Sequence, residues 1–152
     1  MEPVRAGVTV EGSRERAFDL FTEGMGTWWP KEFSWSQDKL DEIGIEPHED
    51  GFAYERGPRG FSIHWGRVTA WDPPERFVFN WQIAGDRSPQ PDPDKASEVE
   101  VRFSQDDGAT RVEVEHRGWE RHGDGAREYR DGFKQAGAWP HVLERFAAAA
   151  GA

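Results

Sequence analysis

Residues 66–83 read GRVTAWDPPERFVFNWQI, and this run restricts the possible folds more than any other. A strand-like stretch ends at Trp71, Asp72-Pro73-Pro74 forces a turn, and a second stretch alternates Phe77, Phe79, Trp81 and Ile83 with Val78, Asn80 and Gln82. Proline cannot donate to a sheet ladder and restricts the residue before it, so the pair marks a hairpin corner. Period-two alternation places the aromatic residues on one face of the second strand. Such a face must be covered by a helix or line a cavity.

The remaining composition fits that reading. The chain has 152 residues, which predicts one domain over residues 1–152 that buries about 68–70% of its unfolded surface. Hydrophobic residues make up 36%, yet they include eight Trp, ten Phe and two Tyr. A core of a few bulky rings, each burying roughly 150–250 Å², tiles space with gaps, which favours a pocket. The net charge of −10, without a basic stripe, argues against a nucleic-acid partner. The lack of cysteine excludes disulfides, thiol nucleophiles and Cys-containing metal sites. The N-terminus lacks the pattern of a signal peptide, and no stretch approaches the roughly 18 apolar residues of a membrane span. A soluble, cytoplasmic protein is expected.

Alternation of Val4, Ala6, Val8 and Val10 predicts a first strand, and Ser13 is placed to cap a helix that buries Ala17, Phe18, Leu20 and Phe21. A second short helix is read in residues 25–30. Six further strands are predicted at 43–48, 52–56, 61–71, 76–83, 98–104 and 111–118, separated by turn residues. The proline-rich loop 84–97 should be exposed and mobile. Tyr129, Phe133 and Ala136 form one helical stripe, and Leu143, Phe146 and Ala150 another. Pro140 predicts a kink or a fresh start near Trp139. Strand, short helices, six strands and a long terminal helix make an α+β layout with a meandering antiparallel sheet.

Parity then nominates cavity residues. Phe77, Phe79, Trp81 and Ile83 share one face, as do Val99, Val101 and Phe103, and His116 falls in line with Val112 and Val114. His116 could orient a ligand or shuttle a proton, or be a core histidine bonded to a neighbour. In residues 61–71, Ile63, Trp65 and Trp71 oppose His64, Gly66 and Val68. If Gly66 admits a close approach, His64 joins the pocket beside Tyr54 and Arg56. From the terminal helix, Tyr129, Phe133 and Trp139 are the expected wall. No GxSxG, HExxH or phosphate-cradling loop is present, and the five histidines show no metal spacing, so neither a metal nor a cofactor is expected.

In the order of its motifs the chain resembles the SRPBCC superfamily (START and Bet v 1-like, helix-grip fold), and within it the branch homologous to the C-terminal domain of the activator of Hsp90 ATPase. The resemblance is carried by residues 8–21 as a strand entering a short helix, by Thr27-Trp28-Trp29-Pro30, and by Gly66-Arg67-Val68 leading to Pro73-Pro74-Glu75-Arg76-Phe77 and Trp81. It continues through residues 97–103 and 110–118 and ends in residues 137–146. It implies a sheet of about seven strands wrapped around the C-terminal helix, with an internal cavity closed at one end by the short helices. Trp28, Trp29, Phe33 and Trp35 would then form a lid or rim.

The sequence therefore predicts a small binding protein holding a hydrophobic or aromatic small molecule. The ligand-lining residues expected are Trp28, Trp29, Phe33, Trp35, Tyr54, His64, Phe79, Trp81, Val101, His116, Tyr129, Phe133 and Trp139. One alternative is an enzyme of the superfamily's cyclase or hydrolase type, with Tyr54, His64 and His116 meeting in one cavity for acid–base work; the sequence favours binding over catalysis. The other alternative is a chaperone-related interaction module with an exposed apolar patch and a filled interior. An Hsp90-type partner is not expected, since that co-chaperone carries a separate N-terminal domain with no counterpart here. A homodimer is left open.

Overall fold

The computed structural model describes residues 1–151. Seven strands form one sheet: β1 (Val4–Glu11), β2 (Glu42–Ile45), β3 (Phe52–Arg56), β4 (Ser62–Asp72), β5 (Arg76–Trp81), β6 (Ser97–Asp106) and β7 (Ala109–Arg117). Their spatial order is β1-β7-β6-β5-β4-β3-β2, and every neighbouring pair is antiparallel. All connections but β1 to β2 join adjacent strands. Helix α1 (Arg14–Thr22) follows β1, and α2 (Ala126–Phe133) and α3 (Trp139–Ala149) close the chain. This is a curved sheet gripping a C-terminal helix, the helix-grip α+β architecture.

Ser13 caps α1, its Oγ accepting from the Arg16 amide at 3.3 Å. The helix presents Phe18 and Phe21 to the sheet. Phe18 meets Trp71 edge-on at 4.9 Å and Phe77 at 5.6 Å, and Phe21 reaches Phe146 of α3 at 5.1 Å. Such edge and tilted contacts are the favoured aromatic geometries. In α3 the buried side chains are Trp139, Val142, Leu143 and Phe146. The inner face of the central strands is sealed: Phe77, Phe79, Val99, Val101, Val112 and Val114 are all buried.

Several elements depart from their sequence boundaries for local reasons. β2 stops at Ile45, because the His48 amide turns back onto the Glu46 carbonyl at 2.9 Å and Asp50 sits at a φ of 67°. β5 ends at Trp81, and Ile83 instead bridges to Pro89. The proline-rich loop is thereby tied down. Ala84 N–H donates to the Ser88 carbonyl at 2.8 Å, and the Trp35 indole donates to the Arg87 carbonyl at 3.0 Å. Residues 25–30 form only a 3₁₀ turn, Met25–Thr27. The terminal helical segment breaks over residues 134–138, so Ala136 lies outside both helices. Pro140 sits in the first turn of α3, where its missing N–H was unpaired in any case.

The main correction of parity lies in β4. Pairing skips a residue on each side: Ala53 pairs with Gly66 and Tyr54 with His64, leaving Trp65 extra; Val68 pairs with Phe79 and Ala70 with Val78, leaving Thr69 extra. Each bulge reverses which side chains face inward. Trp65, Val68 and Trp71 consequently all join the core, although strict alternation assigns them to opposite faces. The outer face carries charge instead. Arg76, Arg102 and Arg117 converge on Glu100 at 3.2, 3.0 and 2.6 Å. Among the described residues no helix is long and apolar enough to cross a membrane.

Candidate functional site

Between the β3–β5 end of the sheet and the C-terminal helices lies a cavity of about 950 Å³. Its floor is Trp65 of β4 and Trp81 of β5, whose rings meet at 5.6 Å and 79°. Trp29 stands 5.7 Å from Trp65, and Trp139 stands 5.7 Å from Trp81. Phe133 meets Trp81 edge-on at 5.5 Å. Phe33 and Trp35 complete one rim, while Asp86, Arg87, Asp124 and Glu128 are exposed at the mouth. The apolar walls follow from the alternation of β5 and the stripes of α2 and α3; the opening follows from the break between those helices.

Polar groups are few and mostly committed. The Tyr129 hydroxyl accepts from the Trp81 indole at 2.9 Å and donates to the Ile83 carbonyl at 2.8 Å. Burial pushes this phenol up to about 12, which removes it from acid–base work near neutrality. Glu55 of β3 is fully buried at the wall, and its carboxylate accepts from the amides of Trp35 at 3.1 Å and Ser36 at 2.8 Å. The Trp65 indole N–H is buried without a partner among the described residues. His122, in the 3₁₀ turn Trp119–His122, lines the cavity, and its Nε2 lies 2.7 Å from Ser97 Oγ. Burial lowers its pKa.

Behind the wall sits His116, fully buried and stacked on Trp119 at 3.8 Å. Its Nε2 lies 2.7 Å from Ser97 Oγ, and its Nδ1 accepts from the Trp139 indole at 3.1 Å. Burial, with a smaller contribution from His122, depresses its pKa well below the ordinary value, so the ring is neutral.

Of the thirteen residues nominated from sequence, Trp29, Phe33, Trp35, Trp81, Tyr129, Phe133 and Trp139 line the cavity. The other six are placed elsewhere. Trp28 is core, wedged between Phe21 and Phe146, with its indole bound to the Leu20 carbonyl at 2.8 Å. Phe79 and Val101 are sealed in the sheet interior. His116 is screened from the cavity by rings, among them Trp81, Phe133 and Trp139. Tyr54 and His64 face the outer side. His64 is exposed and stacks on Phe52 at 3.9 Å, and Arg56 reaches outward to Glu42 at 2.7 Å rather than into the pocket. Gly66 does admit a close approach, since a Cβ there would collide with the Asn80 carbonyl oxygen. The bulge at Trp65 nevertheless sends His64 away. Tyr54, His64 and His116 therefore share no cavity, and the acid–base constellation built on them is overturned.

Sequence reasoning missed Trp65, Glu55 and His122. The bulge concealed Trp65, although the adjacent glycine was its signal. Glu55 has the parity of buried Ala53, a weak hint. His122 lies beyond the last strand, where no periodicity reaches.

The cavity and its fold have counterparts. The anthrahydroquino-γ-pyrone synthase Txn09 is 36% identical, with a TM-score of 0.68 over 97% of this chain and 96% of that one. The self-sacrificing resistance protein CalC from Micromonospora echinospora is 30% identical, with a TM-score of 0.67 over 98% of this chain and 94% of that one. Protein MLL2253 from Mesorhizobium loti, 18% identical with a TM-score of 0.63 over 97% and 95%, shares the fold. No curated protein matches the chain. Residues 11–151 match the family described as activator of Hsp90 ATPase homolog 1-like protein, and the chain belongs to that family.

Proposed function

We propose that this protein binds a planar, polycyclic aromatic small molecule between β4–β5 and the C-terminal helices. The observation that carries the reading is the ring-lined cavity of about 950 Å³, floored by Trp65 and Trp81 and walled by Trp29, Phe133 and Trp139. Pockets of this size, mostly apolar with a few fixed polar groups, suit drug-sized ligands. Burying flat ring surface against them is worth about 25 cal/mol per Å², and aromatic pairing adds about 0.5–1.5 kcal/mol. Similarity to a synthase of an aromatic pyrone supports the same ligand class. Thermal-shift and tryptophan-quenching titrations with polycyclic aromatics, fatty acids and sterols test this. Aromatics should stabilise the fold and quench emission, and silence from all three classes overturns the reading.

The 36% identity to that synthase favours a second reading, in which the bound aromatic undergoes ring closure. A γ-pyrone forms when a phenol adds to a neighbouring β-diketone and water leaves. Incubation with a hydroxyanthraquinone bearing such a side chain, followed by its absorbance spectrum, tests turnover. An unchanged spectrum with retained binding leaves the protein a carrier.

A further inference from the structure

Two groups that can only donate fix the direction of a buried hydrogen-bond chain. An indole N–H has no acceptor capacity, so Trp139 Nε1, at 3.1 Å from His116 Nδ1, makes that nitrogen the lone-pair end of the ring. The neutral His116 must then carry its proton on Nε2 and donate it to Ser97 Oγ at 2.7 Å. That hydroxyl, having accepted, turns its own hydrogen to His122 Nε2 at 2.7 Å. The Ser97 backbone N–H, again a donor only, points at the same Nε2 at 3.2 Å. Both ends of the chain thus agree. His122 receives on Nε2 and carries its proton on Nδ1, which has no partner among the described residues, on a residue of the cavity wall.

We infer that the Trp139–His116–Ser97–His122 chain is a polarity lock that fixes His122 as a hydrogen-bond donor to the cavity. With the unpaired Trp65 indole it selects an aromatic ligand bearing two carbonyl-type oxygen acceptors. Trp65 is 2% exposed and its N–H has no partner among the described residues; a pure hydrocarbon would leave it unsatisfied, whereas a carbonyl oxygen seated against it would pair it. Tyr129 both accepts and donates inside the protein, and Glu55 is held by two amides. The N–H groups of the wall left for a ligand oxygen are those of Trp65 and His122. Asp86, Asp124 and Glu128 at the mouth, against Arg87, disfavour an anion and leave a neutral quinone or aryl ketone as the matching chemistry. His116, Ser97 and Trp139 are positioning residues, acting through His122.

The inference rests on the aromatic-cavity reading, and its test separates the two. Anthraquinone and anthracene share a shape and differ in the two oxygens. On the full chain, quenching titrations should give anthraquinone the tighter binding by roughly tenfold to a hundredfold, the effect of one to two hydrogen bonds. Trp65→Phe and His122→Phe should each narrow that gap. Equal affinity for both probes overturns the acceptor selection while the cavity reading stands; binding of neither overturns both. Independently of any ligand or variant, ¹⁵N spectra of the wild-type histidines should show the proton on Nε2 of His116 and on Nδ1 of His122. The reverse tautomer at either ring overturns the lock.

Discussion

The indole N–H of Trp139 donates to Nδ1 of His116 across 3.1 Å, joining the first residue of α3 to the last inward position of β7. A neutral buried histidine is thereby built into the centre of the protein. One of its two ring nitrogens is satisfied by the helix, and the other by Ser97 of β6. Unpaired, either nitrogen would cost about 1–3 kcal/mol.

That arrangement makes stability depend on pH in a defined direction. In the unfolded chain His116 binds a proton below about 6.5, whereas in the folded protein burial holds its pKa well lower. Between those values the unfolded state binds more protons, so stability rises with pH. Among the described residues no carboxylate bonds to the ring; across Ser97 its titratable neighbour is His122, whose pKa burial lowers as well. Urea denaturation should show constant stability above about pH 7 and a progressive loss as pH falls through about 6.5 and below. The slope should shrink in His116→Asn. A flat profile from about pH 7.5 to about pH 5.5, on either side of the ordinary histidine value, contradicts a neutral His116.

Gly66 predicts a second outcome. Its missing side chain lets the bulged strand lie against the Asn80 carbonyl, and a Cβ there would also stand only 3.0 Å from Phe79 Cδ2. Backbone cannot retreat as a flexible side chain can. Gly66→Ala should cost roughly 1–3 kcal/mol by overpacking, read as a lower urea midpoint with an unchanged m-value. A variant as stable as the parent would mean that β4 shifts freely there.

How much of this was legible beforehand depends on whether periodicity stayed unbroken. Along β5 it did: Phe77, Phe79 and Trp81 share the inner face as alternation requires, and β7 places His116 inside with Val112 and Val114. Pro140 likewise announced the start of α3 at Trp139. Along β4 two extra residues broke the count, and His64 and Trp65 exchanged roles relative to a regular strand. Trp28 and Trp29 are adjacent and chemically equal, yet one packs on α1 and the other on the cavity; no local pattern separates them. His122 owes its place to Ser97, 25 residues earlier, a contact that only the folded sheet creates.

The outer face supplies a third prediction. Glu100 is nearly buried while receiving guanidinium hydrogen bonds from Arg76, Arg102 and Arg117. Burial works to raise its pKa, but hydrogen bonds and charge from Arg117 and Arg102 outweigh it and hold the carboxyl below the usual range. A depressed carboxyl contributes stability above its unfolded pKa, about 4.3, and loses it as pH falls through the folded value. Glu100→Gln should lower stability at pH 7 by roughly 1–3 kcal/mol and flatten the acid limb of the profile. Retention of the full acid dependence would assign it to other carboxyls.

Glu55 links stability to the rim of the cavity. Its carboxylate holds the Trp35 and Ser36 amides at 3.1 and 2.8 Å, and the Trp35 indole in turn holds the Arg87 carbonyl at 3.0 Å. One buried side chain on β3 thus fastens two loops that border the opening. Charge-assisted hydrogen bonds contribute about 1.5–3 kcal/mol each, so Glu55→Ala should destabilise the protein by roughly 2–4 kcal/mol after relaxation. Glu55→Gln, which keeps one carbonyl acceptor, should lose less. The effect should also be local. Amide hydrogen exchange should accelerate in residues 34–39 and 84–90 well beyond the global change, while β6 and β7 follow global stability. A uniform acceleration across the chain would show that Glu55 supports the sheet rather than the rim. In the proposed binding role, loosening Trp35 should raise the dissociation rate of a bound aromatic more than it lowers the association rate, measured by stopped-flow quenching.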